Sequence, residues 1–422
     1  MTEAWQATLV AGGLTFPTSL AFDGVGTAWI AESGLPFGDA RSGGRVWRID
    51  AGGDRELFAD GLAPPLNGLV HHEDGLYVSV GGQPGGIVRF GMDGSHRVVV
   101  SDLPGPGDYQ TNMAVVGPDG RLYFSQGAMT NGGIIGLDSY DIGWLRRLPH
   151  SCDIPGLDVE LAGVNVRTPN PLGPPGDEVE TGAFVPFGTR TRPGQRVPGR
   201  VPCTAAVLRC DLDGSDLELV AWGLRNAYGL GFLPDGRLLA LDQGPDDRGS
   251  RPIGSAPDLL YEVRPGAWYG WPDYIGGDPV TDARFVPRRG PEPSFVLANH
   301  AELPPPQRPL VRFPPHSAAV KFAVAPPSAR GDAAHLFVAL FGDEAPMTVP
   351  EGPRVGRGIV RVDPTDWSVE PLSTRRFRRP IDVRFHPHDD VLHVLDFGAF
   401  EMGPEGVVAE PGTGGLWRLT RL

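Results

Sequence analysis

Residues 225–244 read RNAYGLGFLPDGRLLALDQG, which is a polar start, an apolar run, a Pro-Asp-Gly turn and a second apolar run. Alternating apolar residues on both sides of an Asp-Gly turn predict a β-hairpin. Similar copies begin near residues 17, 65, 109, 315 and 379. The first three copies follow one another at about 40 to 50 residues, a period typical of propeller repeats.

A third apolar strand follows each hairpin. These strands are GRVWRID at 44–50, GGIVRFG at 85–91, AAVLRCD at 205–211, DLLYEVR at 258–264, RGIVRVD at 357–363 and GGLWRLT at 414–420. Several are followed by a fourth apolar stretch, such as LELVAWG at 217–223. Four-stranded antiparallel units repeated around an axis form a propeller. The sequence therefore predicts an all-β, six-bladed β-propeller that uses residues 1–422 as a single domain.

Two intervals between copies are much longer than the rest. We interpret residues 129–202 and 266–312 as loop insertions, which on such scaffolds often act as lids or determine specificity. The segment WQATLV at 5–10 is expected to pair with the last blade and close the ring, because closure removes an exposed sheet edge.

Composition narrows the range of partners. The net charge of −14 disfavours nucleic acid, whose phosphates need a basic face, and favours a small-molecule substrate. No apolar run approaches the length of a membrane span, so we expect no membrane insertion. The start Met1-Thr2-Glu3-Ala4 lacks the features of a secretory signal, and we expect a cytoplasmic protein. The sequence leaves the oligomeric state open.

The three cysteines exclude a disulfide framework and form no CxxC pair for zinc. We expect isolated thiols, although Cys152 and Cys203 flank one insertion and would be able to pair in an oxidising compartment. Zinc-protease, nucleophile-elbow, dinucleotide-binding and P-loop motifs are all missing from the sequence.

Polar residues gather where the innermost strands begin and the second strands end, because both points face one rim of a propeller. The strand starts contribute Thr18, Asn67, Tyr109, Gln110, Asn112, Arg225, Asn226, His316, Ser317 and Arg379. The strand ends contribute Glu32, Gln126, Asp242, Gln243, Gly244, Pro245, Asp343 and Asp396. Such convergence indicates a ligand pocket, and the alternative is that these residues only cap strands.

Two features of this rim suggest particular ligands. Arg225 and Arg379 come from different blades, and paired guanidinium groups suit a ligand that carries carboxylates. The turn DQGPDD at 242–247 offers carbonyl and carboxylate oxygens, which suit calcium, although a plain turn is the alternative.

Several motifs resemble those of the glucose/sorbosone dehydrogenase family. They are GLRNAYGL at 223–230, DQGP at 242–245, GAWYGWP at 266–272, and RPIDV at 379–383 followed by VLHVLD at 391–396. Members are six-bladed propellers that bind pyrroloquinoline quinone (PQQ) and calcium and oxidise sugars.

The resemblance implies roles for individual residues. Arg225 and Asn226 would face the quinone, with Gln110 and Asn112 beside them, and Arg379 would pair with a cofactor carboxylate. Gly244 and Pro245 would hold calcium through their carbonyls, with Asp242 next to them. The cation would then polarise the quinone.

The sequence departs from the family at the proton-abstracting histidine. Tyr109 stands at that position, and Ala128 stands where the orienting aspartate would be. A tyrosine has an unperturbed pKa near 10, so it is a poor base unless a cation lowers that value. His316 is a candidate for a relocated base, and its alternative is a rim histidine bonded to a loop. Lys321 lies inside an innermost strand and does not match the family's cofactor-contacting lysine.

Three hypotheses follow. The first is an oxidoreductase-like propeller that binds calcium and PQQ or a similar carboxylated ligand and oxidises a sugar, polyol or aldehyde, with Tyr109, His316 and Arg225 as catalytic candidates. The second is a calcium-dependent lactone or ester hydrolase that relies on Glu32, Asp242 and Asp396. The third is a binding or scaffold propeller without catalysis.

Overall fold

Six four-stranded antiparallel sheets form a ring, which confirms the predicted six-bladed propeller. The structure is a computed structural model that describes residues 5–329, 331–351, 354–374, 377–403 and 405–422. The innermost strand of every blade contacts the innermost strand of the next, including the sixth and the first. These strands therefore surround a common central channel.

The blades are numbered in chain order from their innermost strands. Blade one comprises Pro17–Phe22, Ala28–Glu32, Gly44–Ile49 and Arg55–Leu62; blade two Leu66–His72, Gly75–Val80, Gly85–Gly91 and His96–Leu103; and blade three Thr111–Val116, Leu122–Gln126, Ala206–Cys210 and Glu218–Trp222. Blade four comprises Ala227–Phe232, Leu238–Asp242, Leu259–Val263 and Val311–Arg312; blade five Ala319–Val324, Leu336–Leu340, Gly358–Val362 and Val369–Pro371; and blade six Pro380–Phe385, Leu392–Asp396, Gly414–Arg421 and Trp5–Leu14.

The N-terminal strand closes the ring as predicted. Trp5–Leu14 pairs antiparallel with Gly414–Arg421, from Trp5 opposite Arg421 to Leu14 opposite Gly414. Blade six thus takes its outer strand from one end of the chain and its other three strands from the other end. Opening the ring requires breaking this whole ladder.

The first insertion lies between the second and third strands of blade three. It contains the short helices Leu137–Asp141 and Trp144–Arg147 and two hairpins, Val159–Leu161 with Gln195–Val197 and Asn165–Pro169 with Glu178–Gly182. Sequence reasoning missed these helices, because segments this short carry almost no periodic signal. None of the described helices is long and apolar enough to cross a lipid bilayer.

The second insertion lies between the third and outer strands of blade four. It carries the small hairpin Tyr274–Ile275 with Asp278–Pro279 and the 3-10 turn Ala283–Phe285. A further hairpin, Ala399–Gly403 with Gly406–Glu410, extends blade six and was not predicted. The two predicted insertions share one hydrophobic core with blade three, which includes the buried Trp222, Trp268 and Trp271.

The central channel holds the only lysine of the chain. Lys321 Nζ donates to the carbonyls of Thr18 and Asn67, both at 2.8 Å, and lies 3.7 Å from a carboxylate oxygen of Asp382. Its ammonium also lies 5.2 Å from the ring centre of Tyr228. One fully buried cation therefore links blades one, two, four, five and six.

We expect Asp382→Asn to destabilise the fold by about 3 to 5 kcal/mol, because it leaves Lys321 buried without its counter-charge. The double variant Lys321→Met with Asp382→Asn should recover part of that loss. Urea denaturation of both variants measures the difference in free energy of unfolding. The control Asp74→Asn breaks an exposed pair with Arg89 and should cost less than about 1 kcal/mol. A double variant as unstable as Asp382→Asn would contradict this account.

Candidate functional site

The acidic residues at the ends of the second strands cap neighbouring backbone. A carboxylate oxygen of Asp242 accepts from the amide of Asn226 at 2.7 Å, and one of Asp396 accepts from the amide of Arg379 at 2.8 Å. Glu32 likewise accepts from the amide of Thr15 at 2.6 Å. Burial raises the pKa of Asp242 to about 7. The capping alternative is therefore correct for these three, and they do not converge on a common point.

Arg225 lies at the centre of the rim, and all its hydrogen-bond donors are already used within the protein. Its Nε donates to the carbonyl of Asn131 at 3.1 Å, and Nη1 donates to the carbonyls of Gln243 and Gly244 at 3.2 and 2.7 Å. Nη2 donates to Oδ1 of Asn131 at 2.7 Å and to Asp246 at 2.9 Å. A guanidinium has five N–H donors, so none is left for a ligand.

This arrangement does not fit calcium at the predicted position. The Gly244 carbonyl that was expected to bind the metal accepts from a guanidinium, and a second cation at that oxygen would meet strong repulsion. Asp242 faces the Asn226 amide instead. Among the residues that the structure describes, no three His, Cys, Asp or Glu side chains are placed to hold a metal. Gly244, Pro245 and Asp242 thus form no cation site here.

Arg379 is also engaged within the protein. Its Nε donates to the Phe400 carbonyl at 3.0 Å, Nη1 donates to the Asp343 carbonyl at 2.7 Å, and Nη2 donates to Glu401 at 3.1 Å. The guanidinium also stacks 5.0 Å from the Phe341 ring centre. Phe400 and Glu401 belong to the hairpin that sequence analysis missed. The arginines predicted to bind a carboxylated cofactor therefore do not fit it in this arrangement.

Tyr109 occupies the position expected for a base but is held as a neutral phenol. Its ring packs 4.5 Å from the Arg225 guanidinium, and its hydroxyl accepts from Arg248 Nη2 at 3.2 Å. Burial raises the pKa of Tyr109 well above its usual value, and the nearby arginines do not overcome this effect. A buried phenol held in this way does not fit the role of a catalytic base that the sequence suggested.

Arg248 forms an ion cluster that sequence reasoning did not find. Its Nη1 donates to Asp108 at 2.7 Å and also to Asp138, and its Nε donates to Asp246 at 3.2 Å. Burial raises the pKa of Asp138 to about 6. Asp138 comes from the first insertion, and an isolated acidic residue there gives no sequence signal.

Asn131, also from the first insertion, completes the site. Its Oδ1 accepts from the amide of Asp246 at 2.8 Å as well as from Arg225, and its Nδ2 donates to the carbonyls of Asp246 and Arg248 at 2.8 and 3.0 Å. The segment after blade three's second strand therefore folds into the rim as part of the site floor.

The predicted amide residues lie together beside Arg225. Asn112 Nδ2 donates to Asn226 Oδ1 at 2.7 Å, and Asn226 Nδ2 donates to Gln243 Oε1 at 2.7 Å. Gln110 Nε2 donates to the Gly107 carbonyl at 3.1 Å. Within the described residues, Gln243 Nε2 and Gln110 Oε1 have no hydrogen-bond partner, so each can bind a polar ligand group.

Two ionisable side chains at the rim are free for chemistry. His316 and Glu344 are both half-buried, and neither side chain has a hydrogen bond or ion pair to any described residue. Burial lowers the pKa of His316, while the charges of Asp246, Asp247 and Asp343 act against that effect. Burial raises the pKa of Glu344 to about 7, opposed by Arg379. The charge of Asp246 acts on both groups, so both lie within electrostatic range of it.

The backbone at His316 is strained. Its φ is +63°, and Ala318 has a φ of +47°, conformations that non-glycine residues rarely adopt. Asp258 holds this bend, because its carboxylate accepts from the amides of Gly244 at 3.0 Å and Ala319 at 3.1 Å. Such strain is often retained at functional sites.

Other predictions resolve simply. Lys321 lies in the channel, away from the rim, as its place in the innermost strand indicated. Cys152, Cys203 and Cys210 are free thiols, and burial raises the pKa of Cys152 to about 11.

Two surface grooves lie outside the rim. They have volumes of about 430 and 330 Å³ and are lined by residues 169–178 and by residues of blade four's outer edge with 306–310, so they include none of the predicted rim residues.

Known proteins resemble this chain in fold. Neither a known family model nor a curated protein matches the sequence. Among solved structures, a PQQ-bound aldose sugar dehydrogenase of Streptomyces coelicolor is 16% identical over 100% of both chains, with a TM-score of 0.59. The PQQ domain of a Coprinopsis cinerea pyranose dehydrogenase is 15% identical over 99% of this chain and 95% of that one, with a TM-score of 0.58.

A third structure is a putative glucose dehydrogenase of Thermus thermophilus, 19% identical over 99% of this chain and 100% of its own, with a TM-score of 0.57. The chain shares the fold of soluble sugar dehydrogenases. At these identities the likeness is one of fold, and it extends over the whole propeller. What this sugar-dehydrogenase-like propeller does depends on its own rim residues.

We expect Arg225→Met to destabilise the ligand-free protein by about 3 to 5 kcal/mol, because it removes one of the two arginines that pair with Asp246 and leaves several buried carbonyls unpaired. Thermal and urea denaturation without any added ligand measure the loss. The control Arg41→Met removes an exposed guanidinium and should change stability by less than about 0.5 kcal/mol. An Arg225→Met protein as stable as the unmodified one would show that the guanidinium is not part of the folded core.

Proposed function

We propose that this propeller is a small-molecule enzyme that transfers protons with His316 and Glu344 and acts on a polyhydroxylated carbonyl compound, such as a sugar lactone. One observation carries the proposal. These two titratable side chains stand at the rim without partners among the described residues, while Arg225, Arg248, Arg379 and Tyr109 are bonded within the protein.

The two groups have complementary proton affinities. Because burial lowers the pKa of His316, its imidazole is neutral near pH 7 and able to accept a proton. Because burial raises the pKa of Glu344 to about 7, a large fraction of its carboxyl groups still carries a proton there. Groups whose pKa values lie close to the working pH are the most effective general bases and acids.

Hydrolysis of a lactone uses both groups. His316 accepts a proton from water as the water oxygen bonds to the lactone carbonyl carbon. The ring ester C–O bond then breaks, and Glu344 gives its proton to the departing ring oxygen, which becomes a hydroxyl. The products are one hydroxy acid, an imidazolium and a carboxylate, and exchange with solvent restores both side chains.

The substrate class follows from the uncharged groups beside this pair. Gln243 Nε2 offers N–H donors and Gln110 Oε1 offers an acceptor, both without partners among the described residues. The guanidiniums around them are already neutralised by Asp108, Asp138 and Asp246. Such a site favours hydroxyl groups over a ligand with several carboxylates.

We expect a bell-shaped dependence of kcat/KM on pH for hydrolysis of the 1,5-lactone of D-glucose. The rate should rise as His316 loses its proton, below pH 6.5, and fall as Glu344 ionises near pH 7. His316→Gln should lower the rate by about 100-fold or more, since general base catalysis typically contributes 10²- to 10⁴-fold. Glu344→Gln should remove the alkaline limb of the profile.

The matched controls are His96→Gln and Glu302→Gln, which change exposed residues away from the rim. Both should retain the full rate and the bell shape. A lactone hydrolysis rate unaffected by His316→Gln, with the protein folded, rejects the proposal. If no lactone or sugar is turned over or stabilises the protein, the non-catalytic binding propeller becomes the better hypothesis.

A PQQ-dependent sugar dehydrogenase is the second candidate. It is favoured by the fold shared with PQQ-bound dehydrogenases and disfavoured by the engaged Arg225, Arg379 and Gly244. Bound PQQ would supply a two-electron acceptor. Calcium and quinone would have to displace these internal bonds before the chain's residues could hold them.

Adding PQQ with calcium separates the two candidates. We expect neither a rise in melting temperature nor D-glucose-dependent reduction of a dye, because the donors for the cofactor are already used. Chelation with EDTA should leave lactone hydrolysis unchanged. Stabilisation by PQQ with calcium together with dye reduction would establish the second candidate.

A further inference from the structure

Glu344 belongs to a segment that crosses the site between two strands of blade five. This segment, residues 343–351, is here called the strap. It follows Leu336–Leu340 and precedes Gly358–Val362. Glu344 starts a turn in the strap, because its carbonyl accepts from the amides of Met347 and Thr348 at 2.9 and 3.3 Å.

Two arginines of the blade-four insertion hold the strap. Arg289 Nη1 donates to the carbonyl of Pro346 at 2.9 Å, and its Nη2 donates to the carbonyl of Met347 at 3.1 Å. Arg288 Nη1 donates to the carbonyl of Glu351 at 2.9 Å. Side chains from another blade therefore hold the middle of the strap and its last residue.

A buried aspartate next to the site orients these arginines. Asp247 is 1% exposed, and its carboxylate oxygens accept from the amides of Arg288 at 2.7 Å and Arg289 at 3.1 Å. The amide of Asp247 donates to the Thr348 carbonyl at 2.9 Å. Arg288 and Arg289 are here called the clamp. Because Asp247 directly follows Asp246, the site floor, the clamp and the strap form one connected unit.

The carboxyl group of Glu344 depends on this unit. Its side chain makes no hydrogen bond or ion pair to the described residues, so only the backbone of the strap keeps it near Asp246, Arg248 and Arg379. If the strap moved outward, the half-buried carboxyl group would become more exposed to water. Solvation favours the ionised form of a carboxyl group and removes the proton that a general acid needs.

We propose that Arg289 is a positioning residue that holds Glu344 at its place in the rim by clamping the strap through the carbonyls of Pro346 and Met347. The catalytic role of Glu344 in this inference rests on the proposed function, whereas the effect of Arg289 on the strap does not depend on it.

The test is a carboxyl titration that does not need turnover. Protein labelled with ¹³C at the glutamate carboxyl carbon is titrated by NMR, and Glu344→Gln assigns the Glu344 signal. In the unmodified protein the midpoint should lie near pH 7. In Arg289→Met it should fall by about one pH unit or more toward the ordinary glutamate value. The alkaline limb of lactone hydrolysis should move by the same amount.

The matched control is Arg284→Met, which removes a more exposed arginine of the same insertion that bonds Asp282 and should not move the midpoint. Arg289→Lys keeps a charge and one reachable carbonyl and should give an intermediate midpoint. If Arg289→Met does not fold, Asp247→Asn, which weakens the clamp at its base, must lower the midpoint instead.

An unchanged Glu344 midpoint in a folded clamp variant overturns the inference, whatever the activity. A lowered midpoint with normal lactone hydrolysis in Glu344→Gln supports the positioning role and rejects the proposed function. The positioning role of Arg289 and the proposed function can therefore be rejected independently of each other.

Discussion

All five N–H donors of Arg225 end on oxygens of the protein itself, and the site is organised around this fact. The acceptors come from the first insertion, from the turn after blade four's second strand and from Asp246. Burial disfavours the ionised form of Asp246, but Arg225 and Arg248 outweigh it and lower the pKa of this carboxyl. Removing one member would leave buried charges or carbonyls unpaired, so these parts are stable only together.

This internal pairing changes the meaning of the motifs. Arginine, asparagine and a Gly-Pro turn in blade four are the residues that resemble a quinone and calcium site. In the folded protein the guanidinium takes the place of an external cation at the Gly244 carbonyl. Residues that would bind a cofactor bind each other, whereas the side chains of His316 and Glu344 make no hydrogen bond or ion pair to the described residues.

Buried charged side chains also pair with each other in the central channel. Asp382 pairs with both Lys321 and Arg384 and offsets part of their charge, and carbonyls of the innermost strands accept N–H groups from both cations. The ring is thus held by an ionic centre as well as by the ladder between its terminal strands.

Much of the architecture was determined by the sequence alone. Strand alternation and Asp-Gly turns are local signals, so the six hairpins, the third strands and the closing strand were predictable, whereas Tyr109 and His316 were named only as candidates for a base. Asn131, Asp138, Arg248, Asp258 and Glu344 were not found, because each acts through a partner more than ten residues away. Only the tertiary structure decides whether a rim arginine faces a ligand or another part of the chain, since hydrogen-bond saturation depends on which distant oxygens the fold brings within about 3 Å.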